Sequence, residues 1–132
     1  VKTILNNGLN ENENLVFTKI VSDARLIYPD ATEMSWNCEK QSELIEGGET
    51  LIFADDVWAV TGTGSGVNLD GQSYNMQITS ALIYNNGCFY PVSGIVEFDI
   101  DGVGIKTINY GAGECDNEVT VTEGDITVTV LL

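Results

Sequence analysis

The chain has 132 residues, a mass of 14.3 kDa, a formal charge of −15 and a pI near 4.1, which excludes nucleic-acid binding through a basic surface and repels anionic lipid. With no His there is no His-based triad and no His metal ligand. Hydrophobic residues make up 43%, a folding composition, and Val, Ile and Thr supply more than a quarter of the chain, which favours strand over helix.

Residues 1–14 read as a strand-like apolar patch (Val1, Thr3, Ile4, Leu5) followed by an Asn- and Glu-rich tether. Residues 15–132 read as a single β domain. Val1 in place of Met reads as a chain whose leader has been removed, or one that has been trimmed. No stretch approaches the roughly 18 apolar residues of a membrane span. Residues 15–21 read as strand. Ser22 as a cap, Ala24, Ile27 and Tyr28 at i, i+3, i+4 spacing and Pro29 as a stop predict one short helix over 22–28. From residue 32 onward the period is two, as in Met34, Trp36 and Cys38. Asp70-Gly71, Asp101-Gly102 and Glu123-Gly124 each separate two strand-like runs, and Asp-Gly favours a tight hairpin because it tolerates positive φ. Seven to nine strands follow. The pattern predicts an all-β fold, an antiparallel meander forming a small β-sandwich or barrel.

None of the three cysteines, Cys38, Cys88 and Cys115, has C-x-x-C spacing, so redox and zinc-ribbon motifs are absent. Cys88 follows the turn Asn85-Asn86-Gly87, and Cys115 lies in Gly113–Asn117. That placement predicts a Cys88–Cys115 disulfide stabilising by about 3 kcal/mol. Cys38, which shares the parity of Met34 and Trp36, is left unpaired. Three reduced buried thiols are the alternative.

The carboxylates Glu97, Asp99 and Asp101 alternate along one strand, and Asp116 lies in the Cys115 turn. Ca²⁺ is the cation such a set would hold, through six to eight oxygens. Val103, however, stands where an EF-hand loop needs its third ligand, so a solvated acidic face is the competing reading. Gly62-Thr63-Gly64-Ser65-Gly66 lacks the following Lys and helix of a phosphate cradle and reads as a flexible strand end or bulge. Thr61/Thr63, Thr120/Thr122 and Thr127/Thr129 repeat Thr-x-Thr, a pattern of ice-binding ladders and also of ordinary wet strand faces. Trp36, Trp58, Tyr74, Tyr84, Tyr90 and Tyr110 could stack sugars, although Trp36 and Trp58 also read as core.

The segment from Cys88 to Leu132, about a third of the chain, carries the run Cys88, Pro91-Val92-Ser93-Gly94, then Ile108-Asn109-Tyr110-Gly111-Ala112-Gly113-Glu114-Cys115-Asp116-Asn117 and a final hairpin. It resembles the C-terminal part of exported β-rich lipoproteins of Bacteroidota, a family without a settled activity, and the resemblance implies export. The expected location is extracellular or at the cell surface. The expected function is non-enzymatic and structural: a subunit of a surface fibre or an adhesive domain. Assembly would be head-to-tail with copies of itself, through donation of the N-terminal strand on a tether of roughly 30 Å. The alternatives are a glycan-binding surface domain and a calcium-stabilised exported domain.

Overall fold

The β-branched runs all become strands. The computed structural model describes residues 1–132 and contains nine: β1 (Lys2–Leu9), β2 (Leu15–Ile27), β3 (Glu33–Glu46), β4 (Val57–Val67), β5 (Ser73–Asn85), β6 (Ser93–Ile100), β7 (Gly104–Ala112), β8 (Glu118–Glu123) and β9 (Ile126–Leu131). All pair antiparallel in the order of the sequence, so the all-β meander expected from the turn signals is present. Its strands form one sheet, which does not close into a barrel. Each Gly-containing turn read from the sequence joins its predicted pair, and Gly71, Gly102 and Gly124 take φ of 79°, 77° and 60°.

The helix expected over 22–28 is absent: those residues continue β2 as far as Ile27. The register with β3 shifts between Val21 and Ala24, and Asp23 sits there at φ 55°. Asn37 Oδ1 accepts the Asp23 N–H at 2.8 Å, holding the bulge. An extra residue in one strand breaks the two-residue period, and the broken period imitates a helical one.

The flexible tether is also absent. Residues 6–9 finish β1, and residues 10–14 form a tight turn. Asn10 Oδ1 accepts the N–H groups of Asn12 (2.9 Å) and Asn14 (3.0 Å). The Asn-rich stretch therefore acts as turn chemistry, since Asx side chains cap their own backbone. Val1, Thr3, Ile4 and Leu5 lie in or beside a strand, as expected, but its partner is β2 of the same chain: Thr3 opposes Ile20, Ile4 opposes Lys19, Leu5 opposes Thr18.

Because side chains alternate across a strand, the register sorts the whole sheet into two faces. One face is apolar. It carries Phe17, Trp36, Trp58, Tyr74, Tyr84, Phe98 and Tyr110, with Ile78, Leu82 and Val96 as its buried centre. Phe17 and Trp58 approach at 6.0 Å between ring centroids, and Tyr74 and Phe98 at 5.8 Å, edge to face. The other face is polar. One row crosses all nine strands as Thr3, Ile20, Glu39, Thr63, Gln77, Glu97, Thr107, Thr122 and Thr127.

A single sheet cannot bury much. Only 10 of 132 residues are buried, and the accessible surface is 8554 Å². A close-packed monomer of 14.3 kDa would expose about 6,800 Å².

Candidate functional site

The glycine run lies inside β4, not at a loose end. Gly62, Gly64 and Gly66 all point their missing side chains at the apolar face, opposite Lys40, Cys38 and Trp36 of β3. The gap lets neighbours lean in. A Cβ on Gly66 would lie 2.7 Å from Tyr74 Oη and 2.9 Å from Tyr74 Cζ, and one on Gly64 3.2 Å from Met76 Cε. Beside them remains a cleft of about 240 Å³, walled by Trp36, Tyr74 and Phe98 on one side and reached by Lys19 and Lys40 on the other. Five of the six aromatics singled out in the sequence share this face, with Phe17 and Phe98 added; Tyr90 lies in the β5–β6 loop against Phe89, 6.5 Å between centroids. Parity within each strand was the signal that could have joined them.

Burial sets the acidity of this face. It pushes the Tyr74, Tyr84 and Tyr110 phenols above the ordinary 10.0, assisted at Tyr74 by the Cys38 thiol and at Tyr84 by Tyr110.

Charge is sorted by face. All four lysines of the chain, Lys2, Lys19, Lys40 and Lys106, project from the apolar face, where the one strand carboxylate is Glu123, 3.7 Å from Lys106. The polar face carries Glu33, Glu39, Glu43, Glu46, Glu97, Asp99 and Glu118 against Arg25 alone, and Arg25 is taken by Glu33 at 2.7 Å. On that face a shallow cleft of about 650 Å³ is lined by residues such as Asn37, Ser65, Asn75 and Gln77. Elsewhere on this face the Asn14 and Asn10 amides donate to Glu43 Oε1 at 2.9 and 2.7 Å, and hold its carboxyl below the usual range.

Of the expected calcium set, Glu97 and Asp99 line the polar cleft, Asp101 lies in the β6–β7 turn and Asp116 in the β7–β8 loop. No three His, Cys, Asp or Glu side chains gather anywhere as a metal site. Parity put Glu97, Asp99 and Asp101 in line, but the turn takes Asp101 out of the row.

The disulfide joins Cys88 and Cys115, Cα atoms 5.6 Å apart, tying the β5–β6 loop to the β7–β8 loop; Cys38 is free and half-buried on the apolar face. The Thr-x-Thr pairs line the polar face, where Thr122 and Thr127 hydroxyls lie 2.9 Å apart across β8 and β9.

Both edges of the sheet are open. Every residue of β9 is exposed, including Ile126 at 69% and Val128 at 50%, and on β1 Ile4 and Leu5 are exposed. No helix is long and apolar enough to cross a membrane. No protein-family model, curated protein or solved structure matches the chain.

Proposed function

We propose that this chain is a non-enzymatic extracellular structural protein that assembles with copies of itself through its sheet edges. The observation that carries the reading is β9, a fully exposed apolar edge with no charge between Asp125 and Leu132 in a chain of −15. Soluble proteins blunt such edges with Lys, Pro or a covering element, because an open ladder templates pairing with another chain. The disulfide is compatible with an oxidising location.

Topology dictates the contact. In a meander of nine strands β1 and β9 run in the same direction, so head-to-tail pairing of β9 with a second copy's β1 would be parallel. Pairing of β9 with a second β9 about a two-fold axis keeps every ladder antiparallel. Centred on Val128, it sets Ile126 against Val130 of the second copy and Thr127 against Thr129, matching apolar to apolar and polar to polar. The β1 edge supplies the second contact that a fibre requires.

Sedimentation velocity and negative-stain microscopy of the full chain over a concentration series test this. Association that rises with salt, and is lost in Thr127→Lys/Thr129→Lys, is expected. A monodisperse monomer at high concentration rejects it. A second reading, a glycan-binding surface, is favoured by the aromatics that share one face around the glycine run.

A further inference from the structure

Lys19 and Lys40 are directly opposite one another on β2 and β3, on the same face, and both are half-buried. Like charges in that position destabilise a sheet. Neither has a carboxylate within ion-pair distance, although the chain holds 20 Asp and Glu: the two salt bridges use Arg25 and Lys106. A free carboxylate is scarce there because the fold sends nearly all strand acids to the other face. The pair is thus a cationic spot kept without an internal partner, in a protein able to supply one almost anywhere.

Its surroundings define a shape. Same-face rows along a strand are about 7 Å apart. Between Lys40 and Trp36, about 14 Å of strand therefore carries only the small side chain of Cys38 on this face, beside Gly64, which carries none. The result is a slot lined by Lys19 and Lys40 toward one end and by Trp36 and Tyr74 toward the other, with Val21 and Met76 at its sides. Its volume, about 240 Å³, lies below the range of roughly 300–1,000 Å³ that takes drug-sized ligands, which restricts it to one ring.

We propose that this slot binds a single acidic sugar residue, a uronate-type ring at the end of a glycan. Its carboxylate sits between Lys19 and Lys40 and its apolar ring face lies on Trp36. The proposal rests on the glycan-binding reading above and adds the charge of the ligand. Long polyanions are disfavoured, because the net charge of −15 repels every charge beyond the first. Two ammonium groups on one carboxylate form charge-assisted hydrogen bonds.

The test is an amide NMR titration of the full chain with galacturonic acid and, in parallel, with galactose. Galacturonic acid is expected to shift the amides around Cys38 and Gly64 and to bind at least about tenfold more tightly than galactose. Lys40→Gln is expected to abolish that preference while raising the melting temperature, because it relieves the Lys–Lys repulsion; Lys40→Arg is expected to retain it. A purely structural role for Lys40 predicts the opposite sign in the melt. Equal binding of both sugars overturns the acidic-ring proposal and leaves the glycan reading standing. No shift with either sugar at tens of millimolar overturns both, and shifts confined to another face overturn the assignment of the slot.

Discussion

Substituting Gly66 by Ala tests whether close approach, and not backbone freedom, requires glycine in β4. The added Cβ would fall 2.7 Å from Tyr74 Oη, 2.9 Å from Tyr74 Cζ and nearer still to the Ser35 carbonyl oxygen. Ordinary contact needs about 3.5–4.0 Å. The Tyr74 ring can swing aside. The Ser35 carbonyl belongs to β3 and moves only with its ladder. Overpacking of this kind costs about 1–3 kcal/mol, and displaced backbone puts Gly66→Ala near the upper figure. Gly64→Ala meets a softer wall, with Met76 Cε at 3.2 Å and the Asn37 carbonyl at 2.9 Å, and is expected to cost about 1 kcal/mol. For a slope of about 1.5–2 kcal/mol per molar, Gly66→Ala lowers the urea midpoint by about 1.5–2 M. Urea unfolding followed by tryptophan fluorescence reads this directly, since Trp36 is directly opposite Gly66. A Gly66→Ala midpoint within about 0.3 M of the parent, roughly 0.5 kcal/mol, or a larger loss for Gly64→Ala, would refute the close-approach account.

Reducing the Cys88–Cys115 bond, which spans a sequence separation of 27, should cost about 3.5 kcal/mol from chain entropy, and a melt with and without reductant checks it. Ala31 and Glu13 occupy left-handed turn positions at φ 68° and 62°; Ala31→Gly should raise stability by about 0.5–1 kcal/mol in the same melt. The Tyr74, Tyr84 and Tyr110 phenols are raised in the fold, so the unfolded chain loses these protons first; stability is intact below about pH 10 and falls above it, measured as melting temperature against pH. Asp30 is lowered by the Thr32 hydroxyl and then its N–H, and Glu43 by the Asn14 and Asn10 amides. Their contribution is present above about pH 4 and lost as pH falls through the folded values, which acid titration of the unfolding midpoint detects.

The hairpins were legible because Asp-Gly and alternating Val and Thr act within a few residues of each other. The bulge at Asp23 was not, since its extra residue erases the period that identifies a strand and leaves Ala24, Ile27 and Tyr28 spaced like a helix. One sheet or two could not be separated either: half-buried alternation is the same for both. Parity alone placed Trp36 with Met34 and Cys38. That Lys40 meets Lys19, and that Gly64 opens the floor between them, depends on inter-strand register, which tight turns fix only near their own ends. The Asn-rich stretch at residues 10–14 misled for a related reason, because Asn serves solvated linkers and capped turns equally well.

Every substantial strand contact in this sheet is with the next or the previous strand in sequence. Energetically the molecule is close to a one-dimensional chain of hairpins, each stabilised by its nearest neighbours, as in repeat proteins. Folding can start at any turn and spread in both directions without closing a long loop, which makes it fast for an all-β protein. Pulled by its two ends, the sheet would peel strand by strand from the outside, with the disulfide between the β5–β6 and β7–β8 loops as the point where that unzipping stalls.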